Sequence, residues 1–200
     1  MAVKLALSSV PIFQFVPATQ LAKLGGIARI VEKRTGDAIL IHDEAVLGIY
    51  VVGEGRVGVY PPNSARPLVY LGQGESFGEM SFLESSKASA TIRAEMASTK
   101  LAVFLQSDIG RLVEEDALVG SSLYRGIALT LSKKLRATTG KFTSEMQKAG
   151  GLLQELTRRD EGGEIALQTL ARATGEQNKK LFSDIDDCLK MTEALLRRIP

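Results

Sequence analysis

Up to about residue 105 the chain is written in short apolar runs, many of them β-branched, each closed by a turn signal. Ile39-Leu40-Ile41, Gly48-Ile49-Tyr50-Val51-Val52, Val57-Gly58-Val59-Tyr60, Leu68-Val69-Tyr70-Leu71, Ala90-Thr91-Ile92 and Leu101-Ala102-Val103-Phe104 follow one another with glycine-rich or proline-rich breaks between them. That rhythm predicts the strands of an all-β sandwich or barrel. Gly53-Glu54-Gly55-Arg56-Val57-Gly58 has the letters of a dinucleotide fingerprint. That motif needs a helix after it, and a strand-like Val57–Tyr60 follows instead, so the segment is expected to be a hairpin turn joining Ile49–Val52 to Val57–Tyr60.

Beyond residue 105 the apolar period lengthens. Val119, Leu123, Ile127, Leu131 and Leu135 fall on one helical face, predicting a long helix from about Glu115 to Lys141. Gly150-Gly151 and Asp160-Glu161-Gly162-Gly163 are expected to stop helices. The last segment places Leu181, Ile185, Cys188, Thr192, Leu195 and Ile199 in alternating steps of four and three, a narrow seam for another helix. Leu181, Ile185, Cys188, Leu195 and Ile199 are therefore candidate interface residues. Their partner is either the long helix of the same chain or the same segment of a second copy.

Composition limits the chemistry. Of 200 residues, 44% are hydrophobic and 24% charged, with 25 Lys plus Arg against 23 Asp plus Glu, a formal net charge of +2. This is a globular balance, too even to mark a phosphate-backbone binder. One histidine, His42, and one cysteine, Cys188, cannot assemble the usual zinc sets or an intramolecular disulfide. No Ser-His-Asp, Cys-His or Glu-x-x-His arrangement pairs a nucleophile with a base, so no catalytic or metal residues are assigned and no enzyme is expected. No membrane span or signal peptide is expected, and cytoplasmic residence is the default. His42-Asp43-Glu44 reads as a solvated turn, and Pro61-Pro62-Asn63-Ser64 as a plain loop tip.

One segment carries more specific chemistry: Gly72-Gln73-Gly74-Glu75-Ser76-Phe77-Gly78-Glu79-Met80-Ser81-Phe82-Leu83, glycines running into a helix-competent turn. With Ser9-Val10-Pro11-Ile12-Phe13, Arg34-Thr35-Gly36-Asp37-Ala38-Ile39 and Tyr50-Val51-Val52-Gly53-Glu54-Gly55-Arg56-Val57, it resembles the cyclic-nucleotide-binding domains of catabolite activator protein, kinase regulatory subunits and nucleotide-gated channels. The resemblance covers about residues 9 to 140 and begins at the entry to a first helix, here Ala18 to Leu24. It implies a mainly β plus α fold: a double-stranded β-helix, or jelly roll, then a long helix and a C-terminal helical extension. Residues 1–141 would form the domain with its flanking helices, and 142–200 the extension for dimerisation or partner binding.

In that family Phe77-Gly78-Glu79-Met80-Ser81-Phe82-Leu83 would open a phosphate-binding cassette. The resemblance implies that its glutamate, here Glu79, bonds the ribose, that helix amides meet the cyclic phosphate, and that an arginine neutralises it. Ala90-Thr91-Ile92 fixes the register on the far side, so Lys87 stands at the family's proline position and Ala88 at its arginine. A partly shielded bidentate arginine-phosphate contact is worth about 2–5 kcal/mol, roughly 30-fold to several-thousand-fold in affinity. Lys87 and Ser89 flank Ala88 with opposite strand parity and would point away, unless the segment is still loop and Lys87 reaches back. The degenerate cassette therefore comprises Gly78, Glu79, Met80, Ser81, Lys87, Ala88 and Ser89. Without a ligand, Glu79 would stabilise the start of the short helix or pair with a cation.

The expectation is a signalling or scaffold protein without a cofactor, with weak or no cyclic nucleotide binding, acting as a homodimer through an unidentified protein partner. A genuine cyclic nucleotide sensor, whose ligand repositions the helix after residue 115, is the alternative, and a transcription regulator is less expected. The family's transcription factors carry a C-terminal helix-turn-helix. Here the tail mixes acids with bases, including Asp184, Asp186 and Asp187, and nucleic acid is not an expected partner.

Overall fold

A computed structural model of the chain describes residues 6–157. The six expected strands are present, together with two that the apolar runs did not foretell, Arg29–Lys33 and Ser76–Phe77. β1 (Arg29–Lys33), β2 (Ala38–Leu40), β3 (Gly48–Glu54), β4 (Val57–Tyr60), β5 (Val69–Leu71), β6 (Ser76–Phe77), β7 (Thr91–Ala94) and β8 (Thr99–Leu105) build two four-stranded sheets, ordered β1-β8-β3-β6 and β2-β7-β4-β5. All pairings are antiparallel. This is the jelly roll. Its interior is an apolar cluster contributed by both sheets, including Leu40, Tyr50, Val52, Val57, Leu71, Phe77, Ile92, Leu101 and Val103.

The Gly53–Arg56 turn is not a hairpin. β3 pairs with β8 and β6, whereas β4 pairs with β5 and β7, so the chain changes sheets between Glu54 and Val57. Gly55 makes that corner at φ +86°, and a Cβ there would come within 2.9 Å of the Ser98 carbonyl oxygen. Alternation along each strand foretells that a strand exists, but not which strand it pairs with.

Helix α1 (Ala18–Ile27) precedes the roll and α2 (Glu79–Glu84) lies within it. After β8 come α3 (Gln106–Glu115) and α4 (Ala117–Thr157), in place of the single helix expected from Glu115 to Lys141. The break is Asp116, in extended conformation at φ −147°, whose carboxylate pairs with Lys23 of α1 at 3.0 Å and whose carbonyl accepts a hydrogen bond from the Val119 amide at 3.0 Å. The hydrogen bond from Lys23, aided by the Lys23 charge and the nearby Leu118 and Val119 amides, holds its carboxyl below the usual range. Aspartate suits the residue before a new helix, because its negative charge is favourable beside the first, unpaired amides. Gly150-Gly151 does not stop α4, which runs through both. A glycine costs a helix interior only about 1 kcal/mol, too little to end a long one.

The described residues fall into two units, divided between Leu129 and Thr130. In the first, Val119, Leu123 and Ile127 of α4 are fully buried. Gly126 allows close contact with the turn Pro11–Phe13, since a Cβ there would lie 2.0 Å from the Ile12 carbonyl oxygen. Phe13 meets Phe104 edge to face at 5.1 Å, and the Arg125 guanidinium lies 4.5 Å from the centre of the Phe15 ring. Asp108 of α3, buried, binds Arg29 of β1 at 3.0 Å and also Arg111. In the second unit, residues 130–157 are helical. The seam Leu181, Ile185, Cys188, Leu195 and Ile199 lies outside the described residues.

Candidate functional site

The cassette begins where β6 ends. Gly78 takes φ +83° as the residue before α2, and a Cβ there would sit 2.7 Å from the Gly48 carbonyl oxygen, so glycine alone fits both demands. Glu79 opens α2 and is 2% exposed; the Ser76 hydroxyl donates to its Oε1 at 3.4 Å. Met80 is exposed, and Ser81 is buried with its hydroxyl donating to the Lys87 carbonyl at 3.1 Å, which ties the helix to the outgoing segment. Phe82 is buried and stacks on Tyr124 of α4 at 6.2 Å.

After α2 the chain returns beside the segment before β3. Asp43 N–H donates to the Ala88 carbonyl and Ala88 N–H to the Glu44 carbonyl, both at 2.9 Å, and Ala45 bridges to Lys87. The segment at Lys87-Ala88-Ser89 is thus already extended and paired, and its side chains alternate. Ala88 is 5% exposed and belongs to the interior cluster with Tyr50 and Phe77. Lys87 and Ser89 are exposed on the other side, and the Lys87 ammonium pairs with Asp43 at 3.1 Å. The fold therefore brings Gly78, Glu79, Ser81 and Ala88 to the inner side of the cassette and leaves Met80, Lys87 and Ser89 facing out.

The buried cluster that includes Ala88 is apolar and contains two aromatic rings. Tyr50 and Phe77 stack at 5.1 Å with ring planes 8° apart. Burial pushes the Tyr50 phenol above its ordinary range, opposed in part by a hydrogen bond with the Leu47 backbone. A guanidinium entering this cluster would need an anion beside it.

The sequence of residues 30–116 matches the family described as the cyclic nucleotide-binding domain. The likeness extends to solved structures. Over 68% of this chain and 63% of the other, the fold superposes on Thermus thermophilus catabolite activator protein with a TM-score of 0.55 and 25% identity. The N-terminal domain of a transcriptional regulator from Streptomyces coelicolor A3(2) is similar over 67% of this chain and 95% of that one, at a TM-score of 0.57 and 26% identity. In sequence, 135 residues (68% of this chain) are 30% identical to Glutaminase 1 of Bradyrhizobium diazoefficiens, of which they cover 22%. The chain thus spans about a fifth of that relative's length. Among the described residues no helix is long and apolar enough to cross a membrane, and no cluster of three or more His, Cys, Asp or Glu could hold a metal ion.

Two features of the neighbourhood escape sequence reasoning. One is Tyr50, read there only as a strand residue, which lies against the cassette in the fold. The other is a cleft outside the roll, formed partly by the loop Pro61-Pro62-Asn63-Ser64 that the sequence presents as a bare tip.

Proposed function

We propose that this chain is a non-catalytic regulatory module, a cyclic nucleotide-binding domain whose roll holds ordinary cyclic nucleotides weakly or not at all and which acts through protein contacts. The observation that carries this reading is Ala88. At the position where the family's arginine would meet the phosphate stands a methyl group packed among Tyr50, Phe77, Leu40 and Ile92. The neighbouring cation, Lys87, is directed outward to Asp43. An anion placed beside Ala88 would lose its hydration without gaining a fork of donors.

In this reading the output lies in protein contacts made by the C-terminal segment, in a homodimer or with another protein. The names of its relatives, a glutaminase, a catabolite activator protein and a transcriptional regulator, set similar sequence or fold beside quite different outputs. Such a domain can be joined to many partners because its fold does not dictate its activity.

Calorimetric titration with cyclic AMP, cyclic GMP and cyclic dinucleotides tests the proposal. No dissociation constant tighter than about 100 µM is expected, and a micromolar one would overturn it. The buried Glu79, kept at the cassette opening beside Ser76, favours the second reading, a working nucleotide sensor that meets the phosphate with backbone amides. Ala88→Arg separates the two further. It should create or strengthen phosphate affinity under the first reading and add little under the second.

A further inference from the structure

We propose that the outer face of the β2-β7-β4-β5 sheet carries a small-molecule site, in which Arg93 receives the acidic group of a small aromatic anion, a carboxylate or phosphate, whose ring lies against Tyr60 and Pro61-Pro62. The inference is independent of what the inside of the roll binds. It starts from a cleft of about 540 Å³ lined by residues from three separate stretches: His42, Tyr60 to Ala65, and Thr91 with Arg93. That volume falls within the range of roughly 300–1,000 Å³ usual for small-molecule sites.

Strand parity builds the floor. On β7, Ile92 points into the roll, so Thr91 and Arg93 point out of it. In the register, Tyr60 of β4 lies opposite Thr91 and Gly58 opposite Arg93. Gly58 matters for its missing side chain: a Cβ there would come within 2.9 Å of Tyr60 Cε2 and 2.7 Å of Glu95 Oε1. The Tyr60 ring folds back over that gap, and its hydroxyl donates to Glu95 at 2.5 Å. The Arg93 guanidinium is then 6.0 Å from the centre of the Tyr60 ring.

The walls are fixed without a ligand. The His42 amide donates to Thr91 Oγ1 at 3.1 Å, holding the segment after β2 against β7. On the other side, Ser64 N–H donates to the Pro61 carbonyl at 3.2 Å and the Ser64 hydroxyl to the Arg66 carbonyl at 2.7 Å. Two consecutive prolines stiffen the same loop.

The polar groups point to an anion. No carboxylate is among the residues lining the cleft. Arg93 is exposed and forms no ion pair among the described residues, while Glu95, two positions on, is engaged by the Tyr60 phenol. A guanidinium whose donors are uncommitted matches a carboxylate or phosphate in two parallel hydrogen bonds. His42 and Thr91, which line the same cleft, carry further donors, and the tyrosine and proline surfaces suit a flat apolar body.

The test is an NMR titration of the ¹⁵N-labelled full chain with phenyl phosphate, benzoate, phenol and inorganic phosphate. Phenyl phosphate or benzoate should shift His42, Thr91 and Arg93 signals saturably, and the tighter of the two identifies the acid recognised. Phenol and inorganic phosphate should each bind more weakly, since each supplies half of the ligand. Arg93→Gln, at an exposed position where peak dispersion reports an intact fold, should weaken binding at least about tenfold. The proposal is overturned by no saturable shift, by equal affinity in Arg93→Gln, by phenol binding as tightly as the anions, or by shifts confined to Glu79 and Ala88.

Discussion

The ring of Tyr50 lies flat on that of Phe77, 5.1 Å between centres and 8° from parallel. Both rings are buried, and Ala88 packs in the same cluster. Phe77→Ala should therefore cost about 3–5 kcal/mol, because it removes a buried aromatic and leaves a cavity between the sheets. Tyr50→Phe keeps the stack and should change stability by less than about 1.5 kcal/mol. Chemical denaturation of the two variants checks the contrast.

Ala88→Arg has a stability signature that is separate from its effect on affinity. With no anion present it places a charge among apolar side chains, and a loss of about 3–5 kcal/mol is expected. Saturating cyclic nucleotide should restore part of that loss, since binding to the folded state alone stabilises it. Thermal melts with and without nucleotide measure both effects. A variant as stable as the parent without nucleotide would mean that position 88 can reach solvent.

Gly55 and Gly74 share a left-handed backbone, φ +86° and +84°, but differ in surroundings. A Cβ at Gly74 meets nothing within 4 Å, whereas one at Gly55 strikes the Ser98 carbonyl. Gly74→Ala should cost about 1 kcal/mol for the conformation alone. Gly55→Ala should cost more, by about 1–3 kcal/mol, because the backbone of the sheet-changing corner must move. Urea midpoints at equal m-values would show the difference.

Asp108 couples stability to pH. Its hydrogen bond from Arg111 is the main cause, followed by Arg29, of a carboxyl held below its ordinary range despite the opposing effect of burial. A carboxylate depressed on folding contributes fully above its unfolded value, near 3.9, and loses that contribution as pH falls toward the folded value. Asp108→Asn should thus lower the melting temperature at neutral pH and flatten its decline below about pH 4. Equal acid slopes in the two proteins would show that the cluster contributes nothing to acid sensitivity.

β2, β3, β4, β5, β7 and β8 were legible because each carries a compact apolar run. β1 was not. Its Arg-Ile-Val-Glu-Lys lies at a sheet edge with no fully buried residue, so no apolar alternation needed to be maintained there. β6 is two residues long, too short for any period. α3 offers only Ile109 and Leu112 as buried apolar side chains, and its boundary depends on Asp116, a cap that reads equally well as a surface charge. In the cassette, parity alone anticipated that Lys87 and Ala88 would face opposite ways, because alternation is a local property of extended chain. The cleft beside Arg93 could not be read locally, since it needs three stretches of chain brought together by the sheet register.

The partnering of the strands also governs how the domain can be made. β1 has a single neighbour, β8, with Arg29 opposite Val103, and β2 has a single neighbour, β7, with Ala38 opposite Arg93. During synthesis from the N-terminus, the two earliest strands must wait for the two latest before their backbone groups are satisfied. A nascent chain or proteolytic fragment ending before Leu105 lacks part of the closing strand and exposes an unpaired edge. Truncations within the roll should consequently aggregate rather than yield a smaller folded core.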